Sequence, residues 1–184
     1  TGSLNLDGLG AMRAALRNAF ASLGADMEEV ATAPQEVVTA SGAVKTRALG
    51  PCLRIIKRPQ APVRVLLAGH MDTVFAPDHP FQSDRLIDAD TLNAPGGADM
   101  KGGIAAFVAG AERAIAKGIK GSIALIITGD EEGPAINGTK RLLGWMAEKG
   151  EHIDHCLVGE PSSNERLGDM IKVGRRGSMN CTLA

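Results

Sequence analysis

The chain has 184 residues, with 20 Lys+Arg against 21 Asp+Glu and a net charge of −1, a length that suits one domain with a sizeable core. Hydrophobic residues make up 44% but aromatics are only four Phe and one Trp, so the core is aliphatic, and neither a basic face nor a stacking platform marks a nucleic-acid binder. No apolar run approaches the ~20 residues of a membrane span, no secretory leader is visible, and Cys52, Cys156 and Cys181 are too widely spaced for a disulfide framework or a thiolate zinc site; a reducing, cytoplasmic setting is the expectation.

Asp7 is the expected N-cap of a first helix, in which Met12, Leu16, Phe20 and Leu23 recur at helical spacing before Gly24 ends it. Strands are expected over 36–40, before a turn at Ser41-Gly42, and over 52–56. The apolar stretch 63–68 predicts a central strand ending at Gly69-His70. Residues 70–98 form a long Asp-, Pro- and Gly-rich loop, a kind that is usually functional in compact domains. A helix is expected over 99–117, a buried strand over 122–128, a helix over 139–149 and a short strand over 156–158. Strand-like stretches follow at 170–173 and 179–183. Strands alternating with helices predict an α/β fold with a mostly parallel sheet.

In such sheets, sites form beyond the carboxyl ends of the strands. Here those ends carry Gly69-His70-Met71-Asp72, Asp130-Glu131-Glu132-Gly133 and Gly159-Glu160-Pro161, and the long loop closes on Gly97-Ala98-Asp99-Met100-Lys101. Each alone has an ordinary reading. His70 can be a hydrogen-bonded core histidine, Asp99 a helix N-cap, the acidic triplet a solvated loop and Glu160 a turn residue. Together they bring His70, Asp99, Glu131, Glu132 and Glu160 to one edge. Four carboxylates in one cleft repel one another and raise their own pKa values, and two divalent cations would cancel that charge. Imidazole with carboxylates and no thiolate suits zinc, with manganese or cobalt as alternatives. Asp72, two residues after His70 in extended chain, can orient the imidazole. Adjacent Glu131 and Glu132 allow one to bind metal while the other takes a proton from water.

Gly174-Arg175-Arg176-Gly177-Ser178 reads either as a solvated turn or as a clamp for a substrate carboxylate. Gly133-Pro-Ala-Ile-Asn-Gly138-Thr139-Lys140 nearly matches a phosphate-cradling loop. An extra Thr separates its second Gly from Lys140, however, and three preceding acidic residues would repel a triphosphate.

These motifs, in this order and spacing, resemble the dinuclear zinc aminoacylase and carboxypeptidase family. From about Gly102 onward the chain is most similar to the family's desuccinylase branch. Upstream, Gly2-Ser3-Leu4-Asn5-Leu6-Asp7-Gly8-Leu9 and Asp88-Ala-Asp-Thr-Leu-Asn-Ala-Pro-Gly96 are closer to its glutamate carboxypeptidase branch. The resemblance implies a three-layer α/β/α, zinc-exopeptidase-like catalytic domain over 1–174. Residues 175–184 would begin a crossover into a lid and dimerisation domain that this chain lacks. It implies two zincs per site: His70, Asp99 and Glu160 on the first, Asp99 and Glu132 on the second, and Asp72 orienting His70. Glu131 would be the general base, and Arg175 with Ser178 would lie near the substrate's acidic group. The implied reaction is hydrolysis of a small acidic N-acyl amino acid, first of all a succinylated diamino diacid. The alternatives are a glutamate carboxypeptidase-like peptidase and a catalytically silent metal-binding fragment. The family's homodimer depends on the lid.

Overall fold

A computed structural model describes residues 2–133, 135–174 and 177. Its centre is a five-stranded sheet in the order β1-β4-β8-β5-β9, built from β1 (Asp26–Val30), β4 (Cys52–Lys57), β5 (Arg64–His70), β8 (Ser122–Thr128) and β9 (His155–Val158). Two exposed hairpin pairs lie outside it: β2 (Gln35–Val38) with β3 (Val44–Arg47), and β6 (Arg85–Leu86) with β7 (Leu92–Asn93). The helices are α1 (Leu6–Phe20), α2 (Gly102–Ala116) and α3 (Thr139–Glu148).

Strand alternation sends side chains to two cores. Leu53, Ile55, Leu67, Ile123, Leu125 and Ile127 pack under Leu9, Leu16 and Phe20 of α1 and Ile104 and Ala111 of α2. Cys52, Ile56, Leu66, Ala124 and Ile126 face Leu142, Trp145 and Met146 of α3. Helices thus cover both faces, giving the α/β/α layering. Every residue of β8 is buried, as its unbroken apolar run requires. Arg54 is buried on the α3 face, ion-paired with Glu151 and 5.2 Å from the Trp145 ring centre.

Several expectations need correction. The cap of α1 is Asn5, whose side chain accepts from the Gly8 N–H at 2.9 Å, and Asp7 lies in the first turn. A 3-10 turn (Ala21–Leu23) and left-handed Gly24 end the helix. The central strand is β8; β5 lies between it and the edge strand β9. The sheet is evenly mixed: β5 pairs parallel with β8 and β9, whereas β4 pairs antiparallel with β1 and β8. Before α2, a wide turn (Gly97–Lys101) carries non-helical Asp99 and Met100. Residues 170–173 form no strand, because their apolar side chains find no ladder to join. The stretch 179–183 and the expected crossover 175–184 lie outside the described residues, apart from Gly177.

The parallel strands β5, β8 and β9 end at one edge, and Met100 sits between the first and last of them. It is fully buried. A Cβ on Gly69 would fall 2.5 Å from its Cε, and one on Gly159 2.8 Å. At the start of α2, a Cβ on Gly103 would meet the Gly159 carbonyl oxygen at 2.3 Å. Backbone approaches this close need glycine. Gly103→Ala should therefore destabilise the chain by ~1–3 kcal/mol through overpacking. Gly110→Ala, in the same helix with no atom near its Cβ, should stabilise by ~0.5–1 kcal/mol. Urea denaturation of both variants checks this pair of opposite signs.

Candidate metal centre

His70, the last residue of β5, is buried, with 1% of its side chain exposed. Its Nδ1 lies 3.1 Å from the Asp72 carbonyl oxygen and 3.4 Å from Asp72 Oδ1. With acceptors on that side, Nδ1 carries a proton and Nε2 is directed at the cluster. Nε2 is 3.1 Å from Asp99 Oδ1, 3.5 Å from Glu160 Oε1 and 4.0 Å from Glu131 Oε2. The His70 N–H donates to the Met100 sulfur at 3.2 Å, tying β5 to the turn that carries Asp99.

Asp72 is fully buried. Its Oδ2 accepts from the Ser3 hydroxyl at 2.6 Å and from the backbone N–H groups of Glu131 and Glu132 at 3.0 and 2.9 Å. Burial alone would raise its pKa, but His70, Ser3 and the two backbone donors outweigh that and hold it low. Asp130 organises the rest of the acidic loop. It is buried, and its carboxylate accepts from the N–H groups of Ala135, Ile136 and Asn137 at 3.1–3.3 Å.

Two overlapping sets of ligand atoms result. His70, Asp99 and Glu160 form one; His70, Glu131 and Glu132 form the other. Within each set the atoms lie within 4.8 Å of one another. The structure thus brings together His70, Asp72, Asp99, Glu131, Glu132 and Glu160. Glu132 is grouped with His70 and Glu131, while Asp99 belongs to the first set. Arg175 and Ser178 lie outside the described residues.

The electrostatics are those of an uncompensated anionic site. Among the described residues, the ion pairs that Asp99, Glu131 and Glu160 make within 4 Å are all with His70. Burial, then the Asp99 and Glu131 charges, push Glu160 up to about 7 against the pull of His70. Burial and Asp99 also raise Glu132. For His70, burial works against protonation, but Asp72, Glu160 and Glu131 overcome it and raise the imidazole to about 9. Lys101 is lowered by burial, and its ammonium donates to the Pro95 carbonyl at 3.3 Å. The donor set of one imidazole and several mutually repelling carboxylates fits a hard or borderline divalent cation.

Ser3, Lys101 and Asp130 join the site without a role expected from the sequence. Asp130 had one visible signal, its place beside Glu131. Ser3 stands in the Gly2-to-Leu9 stretch that carries a resemblance, but nothing local to it points to Asp72, 69 residues away.

The fold and this cluster define an α/β protein with a candidate metal centre at the ends of parallel strands. The family model described as Peptidase family M20/M25/M40 matches residues 66–181, and the chain belongs to that family. Its similar relatives include the succinyl-diaminopimelate desuccinylase of Parvibaculum lavamentivorans, 55% identical over 120 residues, or 61% of this chain and 30% of that protein. That of Beijerinckia indica is 54% identical over 128 residues, 65% of this chain and 33% of that protein. The chain thus spans about a third of the length of these curated relatives. Among solved structures it resembles human carnosine dipeptidase 1, with TM-score 0.62, 23% identity, and 82% and 32% of the two chains covered. It also resembles an M20 family metallo-carboxypeptidase from Sulfolobus solfataricus, with TM-score 0.59, 17% identity, and 84% and 32% covered. These two likenesses show the fold.

A pH dependence follows for the chain without metal. Glu160 holds a proton in the folded state up to about 7 against an ordinary 4.5, so stability is lost as pH rises through that interval. The contribution of His70 is fully present below its ordinary 6.5 and is lost as pH rises through about 9. Both act in one direction. The urea midpoint of metal-free protein should fall steadily from pH 5 to pH 9, Glu160→Gln should flatten the lower part of that fall, and saturating zinc should reduce it throughout.

Proposed function

We propose that this chain carries the binuclear metal centre of a hydrolase that cleaves the amide bond of a small acidic N-acyl amino acid. The first candidate reaction is removal of succinate from N-succinyl-LL-diaminopimelate, within lysine and diaminopimelate biosynthesis in the cytoplasm. The observation that carries this reading is the convergence of the His70 imidazole with the carboxylates of Asp99, Glu131, Glu132 and Glu160 at the strand edge. Family membership and the names of the relatives support the chemistry.

His70, Asp99 and Glu160 would hold one zinc ion, and Glu132 with Asp99 the second; manganese or cobalt would suit the same donors. When bound, such ions supply Lewis acidity to an acyl carbonyl and lower the pKa of water. The residues do the rest. Asp72 keeps the His70 imidazole turned with Nε2 toward the cluster. Glu131, with 41% of its side chain exposed, has a carboxylate open to solvent that can take the proton of the attacking water and return it to the leaving amine. Glu160, with 15% exposed, is more enclosed. Arg175 and Ser178 would hold the substrate's acidic group by charge-assisted hydrogen bonds.

Glu131→Gln should keep zinc and lose ~10²–10⁴-fold in turnover, the range for a general base. A substrate panel with zinc analysis of the same samples reads this out. Turnover confined to peptides ending in glutamate favours the carboxypeptidase alternative. Bound zinc with no turnover of any substrate favours the metal-binding fragment.

A further inference from the structure

The segment before α1 reaches into the acidic cluster. Gly2 forms a parallel bridge with Thr73, and a Cβ on Gly2 would fall 2.6 Å from the Phe75 carbonyl oxygen. Three residues on, the Asn5 N–H donates to the Gly2 carbonyl at 2.9 Å while its side chain caps α1. Ser3 is therefore pinned from both sides and is itself buried, with 5% exposed. Its hydroxyl donates to Asp72 Oδ2 at 2.6 Å. The neighbouring loop makes room for it: a Cβ on Gly133 would fall 2.6 Å from Ser3 Oγ and 2.9 Å from Ser3 Cβ.

We infer that Ser3 is a positioning residue. It fixes the Asp72 carboxylate and, through it, both the His70 imidazole and the Glu131–Glu132 backbone. The inference rests on the metal-centre reading for its purpose, and on the hydrogen bonds alone for its mechanics. Among the described residues Asp72 Oδ2 has three donors, of which only Ser3 comes from outside the strand-end segments. The other oxygen, Oδ1, is buried with no hydrogen bond among the described residues, 3.4 Å from His70 Nδ1. A carboxylate held by two donors from one loop can turn with that loop. The third donor, on the opposite chain segment, locks its plane, and with it the distance between the loop and His70. Partners that orient a metal ligand commonly matter this much to affinity. The family match begins at residue 66, so this contribution comes from outside the matched region.

The test compares the full chain with Ser3→Ala and Ser3→Thr by zinc competition titration and by amide hydrogen exchange of the metal-free proteins. Ser3→Ala should weaken zinc binding about tenfold and speed exchange at the Glu131 and Glu132 amides, while protection within β8 is kept. Ser3→Thr, which retains the hydroxyl, should stay near the parent in both. Parent-like zinc affinity together with parent-like exchange at those two amides in Ser3→Ala would overturn the inference. Protection lost equally across β4 and β8 would also overturn it, by making Ser3 a folding residue. If the parent binds no zinc yet Ser3→Ala still frees the two amides, the metal reading fails and the hold of Ser3 on Asp72 stands.

Discussion

A single buried carboxylate, Asp72, connects the parts of the site. It receives Ser3 from the N-terminal segment, the Glu131 and Glu132 amides from the loop after β8, and faces His70 at the end of β5. Burying a charge is costly unless it is paired and hydrogen-bonded. Asp72 meets that condition only while all these segments hold their places. The requirement runs in both directions: the fold keeps the carboxylate ionised, and the carboxylate keeps the fold's separate ends in register.

Close packing supplies what this carboxylate does not reach. The Asp99 turn and the Glu160 segment are brought in by Met100, which fills the space left by Gly69 and Gly159, and by the contact of Gly103 with the Gly159 backbone. Apolar packing and backbone proximity thus hold together side chains that repel one another. A cluster in which burial and neighbouring anions push Glu132 and Glu160 upward is poorly arranged for its own sake. It is well arranged for a cation.

The ligand set was legible because His70, Glu131, Glu132 and Glu160 follow strands whose parallel ends share one edge, and Asp99 closes the long loop at the start of the next helix. His70, Asp99, Glu131, Glu132 and Glu160 could be read this way, and β8 was legible to the residue from its unbroken apolar run. On the antiparallel side β4 was legible over 52–56, but β1 was not. Asp-Met-Glu-Glu-Val in β1 is largely charged and joins the sheet by pairing with β4, so its identity as a strand depends on a partner and not on its own pattern. The exposed β2–β3 hairpin hides its second strand for the same reason. Asn5 displaced Asp7 as the cap because the chain enters the helix two residues earlier than the apolar spacing suggests. The tie of Ser3 to Asp72 was not legible, since a hydrogen bond across 69 residues leaves no local signature.

The central claim is that this strand edge is a metal centre organised around His70. Crystals grown with zinc, with anomalous scattering measured on either side of the zinc edge, test it most directly. The account predicts two peaks at this edge, one of them ~2.0–2.2 Å from His70 Nε2 and carboxylate oxygens of Asp99 and Glu160. Zinc found only on exposed histidines such as His79 or His152, with the His70 edge empty at saturating metal, would contradict it.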